Sequence, residues 1–118
     1  MTILVVDDEE MIRAMASKAL LAGGFNVLTA VDGFEAVEVF RKQGERIAAV
    51  LLDVRIPRMD GEQALIRLRR IRSDVRVILS SGTSVEGMSD ELTQVDAFLP
   101  KPYDTKTLLR LVNQVVCD

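Results

Sequence analysis

Apolar residues recur along this chain in two alternating rhythms. Short runs rich in aliphatic and β-branched residues give way to longer stretches with apolar positions every three or four residues, the patterns of strands and of amphipathic helices. Ile3–Val6 is wholly apolar, and the stretch after it places Ile12, Met15, Ala16, Ala19 and Leu20 on one helical face before Gly23 and Gly24 stop it. Phe25–Ala30 mixes polar with apolar residues as an edge strand does. Asp32 can then cap a helix that turns Ala36, Val37 and Phe40 inward and ends at Gly44. Ala48–Leu52 reads AAVLL, a strand buried on both faces, and Gly61–Ile71 sets Ala64, Leu65, Leu68 and Ile71 at helical spacing. Val75–Leu79 predicts a fourth strand and Ser84–Leu92 a weak helix with Gly87 inside it. Ala97–Leu99 predicts a short fifth strand, and Leu108, Leu111, Val112 and Val115 form the stripe of a final helix.

Strand alternating with helix in this way predicts an α/β fold with a parallel sheet and crossover helices on both faces. Right-handed crossovers make every strand point the same way, so all the carboxyl ends open onto one edge, where such sheets bind their ligands. Chemically suggestive groups stand at four of those ends. Asp7 and Asp8 follow the first strand, Asp53 follows AAVLL, Ser80 and Ser81 follow VRVIL, and Lys101 comes just after AFLP.

Composition narrows what this edge can do. With 118 residues, 48% of them hydrophobic and 28% charged, the chain has the mass of one domain spanning 1–118. A net charge of −3 gives no electrostatic reason to expect nucleic acid or an anionic membrane as partner. The lone Cys117 forms no internal disulfide, no apolar run is long enough to span a bilayer, and no leader is evident, which together predict a cytoplasmic protein. Histidine is absent, removing imidazole acid–base chemistry, Ser-His-Asp triads and histidine metal sites.

What remains is carboxylate, hydroxyl and lysine chemistry. Three carboxylates gathered in a partly buried place repel one another unless a cation neutralises them, and hard oxygen donors with retained waters suit Mg²⁺, with Mn²⁺ able to substitute. Taken alone, Asp7 and Asp8 followed by Glu9 and Glu10 read as an acidic helix start that complements the macrodipole. Ser81 and Lys101 taken alone read as a turn residue and a solvated lysine. Asp53 has no such ordinary reading, because Val54-Arg55-Ile56-Pro57 does not begin a helix. A carboxylate beside a divalent ion can attack phosphorus to give an acyl phosphate, with Lys101 and Ser81 as partners for the phosphoryl oxygens.

The set Asp7-Asp8, Asp53 in DVRIPRMDG, Ser81-Gly82, and Lys101-Pro102 in AFLPKPY resembles the receiver domain of two-component response regulators along essentially the whole chain. The resemblance implies a flavodoxin-like three-layer sandwich of five βα units with strand order 2-1-3-4-5. It implies that Asp53 accepts a phosphoryl group from a phosphohistidine on a histidine kinase or phosphotransfer protein. Asp8, Asp53 and the Arg55 carbonyl would bind Mg²⁺ directly, Asp7 would act mainly through water, and Lys101 would pair with the phosphate. Ser81 and Phe98 match the family's switch positions, so phosphorylation would reshape the surface made by the Ser84–Leu92 helix, the fifth strand and the final helix. The output is then a downstream protein or covalently linked domains, from a module that catalyses only its own phosphorylation and dephosphorylation. It would be mainly a monomer, able to dimerise on phosphorylation. Ile56 stands where the family often has Met, and Arg55 occupies a place that influences how long the acyl phosphate lasts. SSG after the fourth strand and the LPKPY ending resemble receivers joined to hybrid histidine kinases, and single-domain regulators also show them.

Two other readings of the residues compete. A phosphatase working through an aspartyl phosphate would place an acid two residues after its nucleophile, where this chain has Arg55. Arg67, Arg69, Arg70, Arg72 and Arg76 raise a nucleic-acid reading, but with no aromatic platform beside them they read as a solvated helix face. The Lys101–Pro102 bond is expected to be cis, since the prolyl bond accepts cis for only ~0.5–1 kcal/mol and a sharp turn there would aim the ammonium at Asp53.

Overall fold

The computed structural model describes residues 1–55, 59–82, 92 and 94–117. In chain order they form β1 (Thr2–Val6), α1 (Glu10–Ala22), β2 (Asn26–Ala30), α2 (Gly33–Gln43), β3 (Ile47–Asp53), α3 (Gly61–Ile71), β4 (Val77–Ser81), β5 (Ala97–Pro100) and α4 (Thr105–Cys117). The strands make one parallel sheet in the order β2-β1-β3-β4-β5, so the chain winds outward in both directions from β1 and β3. The expected edge strand, β2, lies at an edge. The expected helix Ser84–Leu92 lies outside the described residues, apart from Leu92, which is buried.

The period of two in the strands divides the core into two layers. Leu4, Val6, Val50, Leu52, Val77 and Leu79 face Ala36, Val37 and Phe40 of α2 and Ala64, Leu65 and Leu68 of α3. Their neighbours Ile3, Val5, Ala49, Leu51, Ile78 and Leu99 face Ala16, Ala19 and Leu20 of α1 and Leu108, Val112 and Val115 of α4. This is the doubly wound, flavodoxin-like arrangement, and Ile3–Val6 of β1 and Ile47–Leu52 of β3 are wholly apolar because both faces of these strands are covered.

Helix ends follow local chemistry. The Asp32 carboxylate accepts the Glu35 amide at 2.8 Å and Asp60 accepts the Gln63 amide at 2.9 Å, satisfying amide donors that no helical carbonyl reaches. Gly24 turns the chain out of α1 with φ +93°, a conformation that side chains disfavour.

Two expectations need correcting. β4 begins at Val77, because the Val75 amide bonds the Arg72 carbonyl in a turn before any strand pairing starts. Ile71 is 40% exposed, since the last turn of α3 runs past the sheet. The arginine series also has other work than a solvated face. Arg72 donates to the carbonyls of Gly44 and Ile47 (2.9 Å for the latter) and lies over the Phe40 ring, Arg69 donates to the Gln94 carbonyl, and Arg76 donates to the Val115 carbonyl.

Candidate functional site

β3 carries Asp53 as its last paired residue, where a buried strand meets the open edge, and the carboxyl is only 5% exposed. Two features hold it. Its Oδ1 accepts the Arg55 amide at 3.1 Å, and its Oδ2 meets the Lys101 ammonium at 3.1 Å. Lys101 reaches it from the end of β5, where its amide donates to the Ser81 carbonyl at 2.9 Å and the Lys101–Pro102 peptide is cis, as expected.

Asp7 lies beside them with every polar group engaged. Its amide donates to the Ala30 carbonyl at 3.1 Å, its Oδ1 accepts the Glu9 amide at 2.9 Å, and its Oδ2 pairs with Lys101 Nζ at 2.8 Å. Its carbonyl accepts from Arg13 Nη1 at 2.8 Å. Asp8 is exposed, and each of Asp7, Asp8 and Asp53 offers a carboxylate oxygen within 4.8 Å of the others. A shallow cavity of about 330 Å³ opens here, lined by Asp8, Glu9, Asp53, Arg55, Gly82 and Lys101.

Close backbone approach shapes this floor. A Cβ on Gly61 would come within 2.8 Å of the Val54 Cα and carbonyl and 3.1 Å of the Asp53 carbonyl, while the Gly61 amide donates to the Val54 carbonyl at 3.0 Å. A Cβ on Gly33 would meet the Met59 Cβ at 2.7 Å. The start of α3 therefore abuts the end of β3, and the start of α2 abuts the segment leading into α3.

The electrostatics of the site are those of a crowded anion partly relieved. Burial raises the Asp53 pKa, the Arg55 amide and Lys101 oppose it, and the Asp7 charge adds to it, leaving the group above its ordinary 3.8. Burial works to lower Lys101, yet its bonds to Asp7 and Asp53 outweigh that and raise it. Nearby, the Tyr103 phenol is pushed up to about 12, chiefly by burial and then by the Asp7 charge.

The sequence-predicted residues Asp7, Asp8, Asp53 and Lys101 thus come together, with the Arg55 backbone at their rim. Ser81 is buried at the end of β4, one residue beyond the Ser80 that pairs with Asp53 in the sheet. Phe98 is 36% exposed, so its ring lies at the surface and is not a core aromatic. Arg13 was missed: it carries no strand-end signal, and only the reach of its side chain back over the loop reveals it. One lysine serving both Asp7 and Asp53 was also not foreseen. Three oxygen donors of high charge density beside an open cavity fit a small divalent cation such as Mg²⁺ better than a softer transition metal.

Residues 3–113 match the family model of the response regulator receiver domain. The chain is 35% identical over 118 residues to the sensor kinase CckA of Brucella abortus, covering 98% of itself but 12% of that protein. It is 31% identical to the chemotaxis protein CheY of Bacillus subtilis, covering 97% of itself and 96% of CheY. Other curated relatives are about twice as long, the chain spanning 47% and 51% of two of them. Among solved structures, the receiver domain of sensor histidine kinase PA1611 from Pseudomonas aeruginosa PAO1 superposes with a TM-score of 0.89 at 25% identity, covering 99% of this chain and 98% of that one. That structure has a magnesium ion coordinated in its active site cleft. This chain belongs to the receiver domains of two-component response regulators, which are signalling modules.

Proposed function

We propose that Asp53 is the phosphoacceptor of a two-component relay, with Mg²⁺ as cofactor. One observation carries the reading: a strand-end carboxylate only 5% exposed meets a lysine ammonium at 3.1 Å and two further aspartates whose oxygens come within 4.8 Å. Asp8, Asp53 and the Arg55 carbonyl are the groups to hold the ion directly, and Asp7, already bonded to Lys101 and Glu9, acts through water. When bound, the ion supplies positive charge to the phosphoryl oxygens and relieves the crowded carboxylates.

An Asp53 oxygen attacks the phosphorus of a donor phosphohistidine. A phosphorus–oxygen bond forms, the phosphorus–nitrogen bond breaks, and its electron pair leaves with the imidazole, which is protonated from solvent. Lys101, which neutralises Asp53 beforehand, follows the charge to a phosphoryl oxygen, and the Ser81 hydroxyl donates to another. Movement of Ser81 gives Phe98 room to turn inward and alters the surface between β5 and α4.

The donor is a histidine kinase or histidine phosphotransfer protein, and the reader is a downstream protein or linked domains. The module works in the cytoplasm, mainly as a monomer with a phosphorylation-dependent dimer, without binding nucleic acid or inserting into membrane. Among the described residues no helix is long and apolar enough to cross a membrane. Mn²⁺ substitutes for Mg²⁺, and catalysis is confined to the module's own phosphorylation and dephosphorylation. A small-molecule phosphodonor with Mg²⁺ should add one phosphate that hydroxylamine removes, and a persistent adduct in Asp53→Asn would overturn the assignment.

A further inference from the structure

Arg13 projects from the first turn of α1 back over the β1–α1 loop, where its Nη1 donates to the Asp7 carbonyl at 2.8 Å. We propose that Arg13 is a positioning residue for the cation site: by holding this carbonyl it aims the Asp8 carboxylate at Asp53. The inference rests on the reading of Asp8 as a metal ligand given above.

A planar peptide transmits the constraint. The Asp7 carbonyl carbon and oxygen lie in one plane with the Asp8 nitrogen and Cα, so fixing the oxygen fixes the point from which the Asp8 side chain departs. The other polar groups of Asp7 are already taken by Ala30, Glu9 and Lys101. Asp8, by contrast, is exposed, and among the described residues no hydrogen bond or ion pair holds its carboxylate. Its direction therefore depends on the peptide before it, and Arg13 is the side chain that sets that peptide.

The neighbouring carboxylates favour a positive charge here, but two other effects oppose one. The first turn of a helix is the positive end of its dipole, where a guanidinium is disfavoured. A positive charge beside a cation site also works against the ion. Both effects oppose Arg13, and the hydrogen bond to Asp7 is what its position provides.

That opposition makes the test one of sign. Mg²⁺ binding to the purified chain is measured by calorimetry for the parent, Arg13→Met and Arg13→Lys, with folding checked by circular dichroism. Loss of charge alone would tighten Mg²⁺ binding in Arg13→Met. Loss of positioning should weaken it about tenfold or more, the range found when partners behind a metal ligand are removed. Arg13→Lys, which keeps a donor, should recover part of the affinity. Equal or tighter Mg²⁺ binding in Arg13→Met overturns the inference. If that variant fails to fold, Arg13→Leu, also neutral and without a donor, is read by the same sign. A parent that takes up no Mg²⁺ overturns the metal reading itself, and this inference with it.

Discussion

Burial of the Asp53 carboxyl raises its pKa more than the Arg55 amide and Lys101 lower it, so in the metal-free domain ionisation of this group opposes folding. Because the folded-state value lies above the ordinary 3.8, the folded domain takes up the proton first as pH falls. The group therefore adds stability as pH drops through that raised value, the reverse of a well-paired carboxylate. Asp53→Asn removes the charge and keeps an acceptor for Arg55. In EDTA it should melt higher than the parent, and the ordering should invert when saturating Mg²⁺ stabilises only the parent. An equal or lower melting point in EDTA would show that the neighbours of Asp53 compensate its burial fully. Tyr103 offers a second titration, the chain having one tyrosine and no tryptophan. Its phenolate absorbance should appear with a midpoint near 12, against an ordinary 10.0. Between those two values the unfolded chain ionises while the folded one keeps its proton, so stability should fall as pH rises across the window. Tyr103→Phe should flatten that part of the stability curve.

Elements were more legible than their junctions. β1, β3 and the inward stripes of α2 and α4 follow directly from apolar periodicity, and the cap Asp32 from one residue type at one place. Strand boundaries were less so, because where β4 begins depends on the turn bond between Val75 and Arg72, not on hydropathy. Ile71 has the spacing of a core residue but lies past the end of the sheet, a matter of geometry beyond the helix itself. At the site, strand ends disclosed Asp7, Asp8, Asp53 and Lys101, whereas Arg13 and the double pairing of Lys101 arise only when loops meet. Gly61 belongs to such a junction. Its helical backbone tolerates alanine, yet the added carbon would press on Val54 and Asp53 at 2.8 and 3.1 Å, so α3 must retreat from β3. Gly61→Ala should cost about 2 kcal/mol in urea melts and also weaken Mg²⁺ binding, because the Arg55 carbonyl moves with the loop. A variant that loses stability but binds Mg²⁺ as before would separate the helix contact from the site. Arg72→Met, at the opposite edge of the sheet, should cost roughly 2–3 kcal/mol by leaving the Gly44 and Ile47 carbonyls without their donor, with Mg²⁺ affinity unchanged.

Across the whole molecule, the site and the surface that would report on it share one sheet edge. Lys101 follows β5, whose Phe98 is 36% exposed, and Ser81 ends β4 beside it. Adding a phosphoryl mimic with Mg²⁺ should bury this ring. Tryptophan emission from Phe98→Trp should shift to shorter wavelength, and unchanged emission with Asp53 shown to be occupied would count against an aromatic switch.

The two-sided core carries a consequence for how this chain can change in length. Residues of β3 alternate between its layers, Ala49 and Leu51 facing α1 and α4, Val50 and Leu52 facing α2 and α3. Deleting one codon inside the strand would exchange every residue on one side of the lesion between the layers and turn Asp53 away from Lys101. Substitutions between aliphatic residues of similar volume leave that register alone. The reading frame of the strand is thus under a stricter constraint than its letters, and length variation among descendants of this sequence should gather at the Gly23–Gly24 turn and the Gly44–Arg46 turn, where no functional side chain depends on the count.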